Sequence, residues 1–369
     1  MNFLEYVTLN PKVSLEKGKI YPFIEMSDVS TCSRNPINIK YKSFDSGVKF
    51  EDGDTVIARI TPCLQNGKRF YCKDIGKGFG STEYLVFRPK NNSVDNLYLY
   101  YVLSTDFVKE SMVKSMVGAT GRQRVNNEVF SRLEMEFPDI DTQRRIASTL
   151  SAYDELIENN KKQIKLLEEA AQRLYKEWFI DLHFPGHEST QIIDGLPTGW
   201  KIKSLSEIAP IVTGKKDANF GTGDGKYLFF TCSQEPIKAP SFSFDCSAVI
   251  LAGNGDFNVK LYKGQFEAYQ RTYVLSPFKE NNLYLLFFAV QNNMRQLFQG
   301  ASGSTIKFLT KPMIENIKIY IPDERIHSKF TMYCEGYQRK LDTLKELNVL
   351  LTQARERLLP KLMSGEIEV

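Results

Sequence analysis

Two stretches of the chain carry the same long pattern of apolar positions. Between Asp141 and Phe179, apolar or small residues alternate at spacings of four and three, and only Asn160 interrupts them. A 4-3 ladder of this kind is typical of the seam of a coiled-coil helix. The ladder consists of Ile146, Leu150, Tyr153, Ile157, Ile164, Leu167, Ala171, Leu174 and Trp178.

The ladder recurs from Asp323 onward, with each position 180 residues after its counterpart. Lys340 stands where the first ladder has Asn160. Two long helices with the same polar break predict an antiparallel pair in which Asn160 lies near Lys340 and fixes the register. The second ladder consists of Ile326, Phe330, Tyr333, Tyr337, Leu344, Leu347, Leu351, Ala354 and Leu358.

The length of the first ladder predicts a rod. A helix over residues 141–179 would be roughly 58 Å long, at about 1.5 Å per residue. A second helix packed antiparallel on it would return toward the start of the chain. We therefore expect the two globular segments, one before each helix, at opposite ends of the pair.

The two globular segments repeat the same order of predicted elements. Turn residues and apolar runs predict strands and one helix in each segment. In the first segment we expect strands at 21–24, 55–60 and 84–87, a helix from Asn96 to about Met116, and a strand at 133–137. In the second we expect strands at 227–230, 247–252 and 273–275, a helix from Asn282, and a strand at 317–321.

The predicted fold is therefore α+β: two similar α/β domains separated by two long antiparallel coiled-coil helices, with a pseudo-two-fold internal repeat. Phe184-Pro-Gly186 and Gly195-Leu-Pro-Thr-Gly199 predict a linker between the copies. The predicted boundaries are a first domain at 1–140, a first helix at 141–180, a linker at 181–199, a second domain at 200–322 and a second helix at 323–369.

Charge is concentrated in the globular segments. Residues 1–140 hold 19 Lys and Arg against 17 Asp and Glu, and residues 200–322 hold 14 against 9, whereas both helices are neutral. This distribution suits two polyanion-binding ends on a neutral spacer. The longest apolar run, 283–290, is too short to cross a bilayer. The six cysteines form no C-x-x-C pair, which is typical of reduced thiols, so we expect a cytoplasmic protein.

A glycine-bearing polar loop before the last predicted strand of each segment is the candidate site. Arg and Gln side chains can pair bidentately with guanine and adenine edges. The alternative is a solvated turn. The loop candidates are Thr120, Gly121, Arg122, Gln123 and Arg124, and Ser302, Gly303, Ser304, Thr305 and Lys307. Candidates for phosphate contact are Arg59, Lys68 and Arg69, and Lys215, Lys216 and Arg271.

Motifs of catalysis and metal binding are incomplete. The glycine clusters at 76–80 and 221–225 lack the strand, spacing and helix of a dinucleotide or P-loop motif. His183 and His187 flank Phe-Pro-Gly without a cysteine pair, so two linker histidines are the simpler interpretation. Asp139 and Asp323 each follow a proline, as in a nuclease motif, but each also begins a predicted helix, where Asp is favoured. We expect no metal site.

Several motifs, most of them in the first helix and its flanks, carry a family resemblance. They are Gly118-Ala-Thr-Gly-Arg-Gln-Arg-Val125, Phe137-Pro-Asp-Ile-Asp-Thr-Gln-Arg-Arg-Ile-Ala147, Leu150-Ser-Ala-Tyr-Asp-Glu-Leu-Ile-Glu-Asn-Asn160, Trp178-Phe179, Phe184-Pro-Gly186 and Gly195-Leu-Pro-Thr-Gly-Trp200. In these motifs the chain resembles the DNA sequence-specificity (S) subunits of Type I restriction-modification systems. The first helix and its flanks are the most specific part, and the second copy departs from the pattern, with Ser304-Thr-Ile-Lys307 in place of Arg-Gln-Arg.

The resemblance implies two target-recognition domains, each reading half of a bipartite site in double-stranded DNA. It implies helices that act as a ruler and dock two methyltransferase (modification) subunits, which restriction or translocase subunits can join. It further implies that this chain is not catalytic and binds no cofactor, because the methyltransferase subunits bind S-adenosylmethionine. Two other interpretations remain open: a self-contained DNA-modifying enzyme that dimerises through its coiled coil, and a structural coiled-coil adaptor.

Overall fold

The computed structural model describes residues 2–31, 33–303 and 307–369. The chain divides into two compact units. The first unit comprises Met1–Gln163 and Thr343–Val369, and the second comprises Ile164–Asp342. No helix of the described ranges has the length and apolar character needed to span a membrane.

Two of the helices are far longer than the others, and both contribute to each unit. The helices are α1 (Phe3–Tyr6), α2 (Asn96–Val102), α3 (Asp106–Lys114), α4 (Val129–Arg132), α5 (Ile140–Tyr175), α6 (Leu205–Ile208), α7 (Leu283–Gly300), α8 (Lys311–Glu315) and α9 (Glu324–Met363). A π-helical turn, Lys176–Ile180, extends α5. Short 3-10 turns lie at Met26–Asp28, His187–Ser189, Ala218–Phe220 and Glu280–Asn282.

The strands of the first unit form two sheets. They are β1 (Val7–Leu9), β2 (Ile20–Ile24), β3 (Lys40–Ser43), β4 (Val48–Glu51), β5 (Thr55–Ala58), β6 (Arg69–Tyr71), β7 (Lys77–Gly80) and β8 (Tyr84–Pro89). One sheet has the order β1-β8-β5-β6, and the other has the order β3-β2-β7-β4. All pairs are antiparallel except β2 with β7, which is parallel.

The second unit builds the same arrangement into one sheet. Its strands are β9 (Ile192–Ile193), β10 (Leu196–Pro197), β11 (Lys201–Ser204), β12 (Ile211–Thr213), β13 (Tyr227–Phe230), β14 (Ile237–Ala239), β15 (Phe244–Ala252), β16 (Val259–Ala268), β17 (Thr272–Leu275) and β18 (Lys318–Ile321). The main sheet has the order β12-β17-β15-β16-β13-β14. The short pairs β9 with β10 and β11 with β18 are separate.

The strand orders confirm the predicted internal repeat. β12 and β17 take the places of β1 and β8, and β13 and β14 take those of β2 and β3. The long strands β15 and β16 each take the places of two strands of the first unit. The parallel pair also recurs, because β13 runs parallel to β16 as β2 does to β7.

Both long helices begin with a capping aspartate. The Asp139 side chain accepts hydrogen bonds from the backbone N–H groups of Asp141 (3.1 Å) and Thr142 (2.9 Å). The Asp323 side chain accepts one from the Ile326 N–H at 3.0 Å. These carboxylates satisfy N–H groups that a helix leaves without intrahelical partners. The prediction that both aspartates are helix starters is confirmed.

In the first unit α5 and α9 run antiparallel. Asn160 donates from its side-chain amide to Asn348 at 2.9 Å, and Asp154 pairs with Arg355. As the residue number rises along α5, that of the partner on α9 falls. Asn348, and not the predicted Lys340, is therefore the partner of Asn160.

The pairing of Asn160 with Asn348 and not with Lys340 has a physical cause. Asn160 is 5% exposed, so its amide needs a polar partner inside the seam. Lys340 is exposed, which keeps its ammonium group hydrated. The seam of α9 is also rotated from the predicted ladder: Tyr333 and Leu347 are exposed, whereas Cys334 and Leu341 are buried.

An aromatic cluster joins the two long helices within the second unit. Phe179, in the π-helical turn, packs edge-on against Phe330 of α9 with ring centroids 4.8 Å apart. Trp200, at the start of the unit's sheet region, lies 5.5 Å from Phe179 and 4.7 Å from Phe184. All four side chains are nearly or fully buried, so the cluster extends the core of this unit onto both helices.

Two predictions for the first unit are wrong. The helix predicted from Asn96 to about Met116 is broken into α2 and α3, because Ser104 and Thr105 turn their hydroxyls back onto the carbonyls of Tyr101 and Val102. The strand predicted at 133–137 is reduced to one bridge, between Asn2 and Glu134. The equivalent strand of the second unit, β18, is formed as predicted.

Candidate nucleic-acid interface

The candidate loop of the first unit is a hydrogen-bonded hairpin. The backbones of Val117 and Arg124 exchange two hydrogen bonds, both 2.9 Å long. Gly118 and Gly121 have φ angles of +125° and +81°, which residues with a Cβ rarely adopt, and so they permit the tight tip. This backbone pairing gives the loop a defined shape.

The hairpin is also tied to the sheet that carries β5. The Thr61 N–H donates to the Gln123 carbonyl at 3.0 Å, and the Gln123 N–H donates to the Thr61 hydroxyl at 3.0 Å. The Val125 N–H donates to the Arg59 carbonyl at 2.9 Å. Three hydrogen bonds, two at Gln123 and one at Val125, therefore fix the second strand of the hairpin, and the tip projects beyond them.

Two side chains at the tip remain available to a ligand. Arg122 is exposed, and its guanidinium makes no hydrogen bond or ion pair with the residues that the structure describes. The side-chain amide of Gln123 is likewise without a protein partner in those residues, although its backbone is held on both sides. Thr120 and Gly121 beside them are exposed.

Arg124, in contrast, is already engaged. Its Nε lies 2.9 Å from each carboxylate oxygen of Glu83, and its Nη2 lies 2.6 Å from Oε1. This hydrogen bonding to Arg124 lowers the pKa of Glu83. No sequence pattern indicates this pair, because Glu83 lies 41 positions before Arg124, in a turn without a distinguishing motif.

The three phosphate-contact candidates of the first unit have structural partners. Arg59 donates through Nη2 to the Val125 carbonyl at 3.3 Å, and Lys68 donates to the Met26 carbonyl at 2.7 Å. The Arg69 guanidinium lies 5.6 Å from the centre of the Tyr100 ring. These contacts leave the charges in place but restrict how far each side chain can reach.

The second unit carries its loop at the corresponding place. Ser302 and Phe308 exchange backbone hydrogen bonds of 3.1 and 2.8 Å, and Gly303 has a φ angle of +101°. Lys307 lies over the Phe298 ring, 4.2 Å from its centre. The predicted readers Ser304 and Thr305 lie outside the described residues.

The backbone contacts around the two loops are equivalent. The Arg59 N–H donates to the Glu83 carbonyl at 2.9 Å, and the Gly253 N–H donates to the Arg271 carbonyl at 2.8 Å. The Val125 N–H in turn donates to the Arg59 carbonyl, and the Leu309 N–H donates in the same way to the Gly253 carbonyl. Arg271 therefore occupies in the second unit the position of Glu83 in the first.

The other basic candidates of the second unit differ in exposure. Lys215 and Arg271 are exposed. Lys216 is half-buried, with its ammonium 4.3 Å from the centre of the Phe220 ring. In the described part of the chain, Arg271 forms no ion pair with a carboxylate. Of the three candidates, Lys215 and Arg271 are thus the cations better placed to meet a polyanion.

A buried ionic cluster, which sequence reasoning missed, joins the first unit's sheets to both helices. Asp154 of α5 accepts a hydrogen bond from the Tyr101 hydroxyl at 2.6 Å and pairs with Arg355 of α9. Arg34 donates to the Ser151 hydroxyl at 2.8 Å and lies 3.8 Å from Glu158. Arg34, Asp154 and Arg355 are all at most 9% exposed.

The side chains that could bind a metal ion are scattered over the described ranges. The rings of His183 and His187 are 5.2 Å apart between centroids. Across residues 2–31, 33–303 and 307–369, no group of three or more His, Cys, Asp or Glu side chains is placed to hold a metal ion.

The fold and the loops together define a duplicated protein. Each unit combines a mixed sheet and its helices with segments of the two long helices, and each carries a polar hairpin loop at the same place. The family model for the Type I restriction modification DNA specificity domain matches the chain twice, over residues 7–169 and 197–350. The chain therefore belongs to this family.

Individual relatives agree with the family match. The Type I restriction enzyme EcoDI specificity subunit of Escherichia coli is 39% identical over 183 residues, a match that spans 47% of this chain but only 39% of the relative. The MjaIX specificity subunit of Methanocaldococcus jannaschii is 26% identical over 312 residues, which cover 76% of this chain and 71% of the relative.

A solved structure shares the fold. The crystal structure of the Type I restriction-modification S subunit from M. genitalium aligns with a TM-score of 0.60 at 17% sequence identity. The alignment covers 98% of this chain and 95% of that subunit. The predicted fold class, two mixed domains with long helices, is confirmed.

Proposed function

We propose that this chain is the non-catalytic DNA-recognition subunit of a Type I restriction-modification complex. Each unit would read one half of a bipartite site in double-stranded DNA. The observation that carries the proposal is the double family match, one match on each unit, with a polar hairpin loop at the same place in both.

The exposed loop side chains suggest how the first half-site is read. Arg122 and Gln123 have the side chains that pair bidentately with guanine and adenine in the major groove. Both lack protein partners among the described residues, so binding DNA would break no existing contact of theirs. Lys215 and Arg271 of the second unit would contact phosphate, which positions a protein on DNA without reading it.

The long helices would serve as the spacer and as the platform for other subunits. On α9, Leu347, Val349 and Leu350 are 42–55% exposed, and exposed apolar groups that cluster mark interaction surfaces. We propose that two methyltransferase subunits dock on these helices and supply S-adenosylmethionine and the methyl-transfer chemistry. Restriction or translocase subunits would join the same cytoplasmic complex.

Methyl transfer tests this division of labour. The purified chain is incubated with labelled S-adenosylmethionine and a DNA library, with and without the methyltransferase subunits of the proposed complex. We expect label in DNA only when those subunits are present, and only at sites with two defined halves. Label transferred by this chain alone would establish the self-contained enzyme instead.

The same library separates recognition from a purely structural role. A recognition subunit gives the complex a sequence preference in two blocks separated by a fixed spacing. A coiled-coil adaptor gives a complex that methylates or binds DNA with no preference contributed by this chain.

A further inference from the structure

Within the proposed function, on which this step rests, we infer that Glu83 is a positioning residue for base reading by the first unit. Its ion pair with Arg124 fixes the orientation of the hairpin. Arg122 and Gln123 are thereby presented to the DNA bases, while Arg124 itself supports the loop. The second unit has an exposed cation, Arg271, at the position of that carboxylate, and we assign to it a direct contact with DNA phosphate.

The geometry of Glu83 suits a fixed anchor. It lies in the turn between β7 and β8, where its N–H donates to the Ser81 hydroxyl at 3.2 Å and its carbonyl accepts from Arg59. The backbone of Glu83 is therefore held on both sides. A carboxylate on such a turn can hold the Arg124 guanidinium in one orientation through its three hydrogen bonds.

The anchored residue is the closing residue of the hairpin. Arg124 pairs with Val117 across the hairpin, and Gln123 beside it is bonded to Thr61. A rotation of the hairpin about this strand would move Arg122 relative to the rest of the unit. The ion pair opposes that rotation through the Arg124 side chain, and it adds to the hydrogen bonds that hold Gln123 to Thr61 and Val125 to Arg59.

Charge also distinguishes Arg124 from Arg122. An unpaired carboxylate at Glu83 would repel DNA phosphates, and Arg124 neutralises it. To contact a base or a phosphate, Arg124 would have to give up three hydrogen bonds to a carboxylate, and Arg122 would give up none among the described residues. Reading is therefore the role of Arg122, and Arg124 is retained by Glu83.

The second unit has no counterpart of the Glu83–Arg124 ion pair among the residues that the structure describes. Phe308 takes the place of Arg124, since it pairs with Ser302 and bridges to Asn254 as Arg124 pairs with Val117 and bridges to Ile60. A phenyl ring carries no charge and cannot form an ion pair with a charged neighbour. Arg271 consequently remains exposed, and its charge is available to DNA.

A charge-swap cycle in the complete complex tests the inference. Base preference at each half-site is measured by selection from libraries randomised in one half-site at a time. The variants are Glu83→Arg, Arg124→Glu and both together. We expect each single change to relax preference at the first half-site by about tenfold or more, and the double change to restore most of it. The second half-site should not change in any of them.

Milder variants cover the case in which an arginine at position 83 is not tolerated beside Arg59. Glu83→Gln and Arg124→Lys keep a hydrogen-bonding group but weaken or lose the bidentate ion pair. Both should relax the first half-site without lowering the thermal unfolding temperature by more than a few degrees. Preference retained in Glu83→Gln, or lost in the swap despite normal folding, would overturn the positioning role.

Arg271→Ala supplies the complementary measurement. It should weaken binding uniformly across sequences and lower the salt dependence of binding by about one phosphate contact. A change of base preference at the second half-site would overturn the phosphate assignment. A wild-type complex with no two-part preference would overturn the proposed function itself, an outcome distinct from those of the cycle.

Discussion

The side-chain amide of Asn160 donates a hydrogen bond to the side-chain oxygen of Asn348 at 2.9 Å, across the α5–α9 pair of the first unit. Asn160 is nearly buried among apolar seam residues. A partly buried polar pair of this kind penalises a slipped register, in which the Asn160 amide would face an apolar side chain. The Asn160–Asn348 pair, together with the pair of Asp154 and Arg355, thus specifies the register of the two helices in this unit.

Replacing Asn160 with Leu should destabilise the chain by about 1–3 kcal/mol, because the amide of Asn348 loses its partner inside the seam. The double variant Asn160→Leu/Asn348→Leu should recover most of that loss, since both polar groups are then gone. Urea unfolding of the full chain measures both. Asn159→Ala, at the adjacent exposed position, is the control and should change stability by no more than about 0.5 kcal/mol. Equal losses at Asn159 and Asn160 would contradict the matched pair.

Asp154 should matter more than Asn160. Asp154→Ala leaves the buried Arg355 guanidinium without its carboxylate and should cost about 3–5 kcal/mol. Glu155→Ala is the matched control: its carboxylate is 57% exposed and lies 3.8 Å from Arg34, so its loss should cost at most about 1 kcal/mol. Thermal or urea unfolding of the two variants measures both losses of stability. A small effect at Asp154 would show that the ionic cluster does not stabilise the unit.

Local periodicity explains what the sequence could predict. Each ladder, and the capping roles of Asp139 and Asp323, depend on residues within a few turns of one another, and the repeat follows from comparing two such local patterns. Asn348, and not the predicted Lys340, faces Asn160, because equivalent positions in two repeats need not face each other. The inward face of α9 depends on its packing, and that face includes Asn348.

The candidate site likewise has a part that local sequence signals predict and a part that they do not. The hairpin was predicted from Gly118 to Arg124 because glycines and polar residues are local signals. The ion pair of Arg124 with Glu83 spans 41 positions, and the Arg34 hydrogen bond to Ser151 spans 117. Contacts at such separations depend on the tertiary fold, and no pattern within either segment indicates them.

Arg122→Ala and Gln123→Ala should each weaken binding of the preferred site by about 1–3 kcal/mol and relax only the first half-site. Competition binding with single-base substitutions in each half measures this. Arg132→Ala, an exposed arginine of α4 paired with Glu128, is the control and should leave base preference unchanged. A loss that is uniform across all sequences would reassign Arg122 to phosphate contact.

The Glu83–Arg124 pair should also be visible in a titration. Hydrogen bonding to Arg124 lowers the pKa of Glu83 below its ordinary value of 4.5. The pair therefore stabilises the fold at any pH above the unfolded value, and this contribution is lost as pH falls through the lower, folded value. Carboxyl NMR titration of the wild type and Arg124→Gln should show Glu83 returning toward 4.5 in the variant. An identical titration in both proteins would mean that the pair does not form in solution.

Lengthening the helix pair tests its role as a ruler. One heptad inserted at matched places in α5 and α9 preserves the 4-3 seam and adds about 10 Å at 1.5 Å per residue. At about 3.4 Å per base pair, the preferred spacing between half-sites should grow by about three base pairs. Selection from a library with variable spacing measures this, and both half-site sequences should stay the same. The matched control inserts the heptad in α5 alone, which breaks the register at Asn160 and Asn348 and should destabilise the chain. A lengthened pair that still selects the original spacing would show that another part of the complex sets the distance.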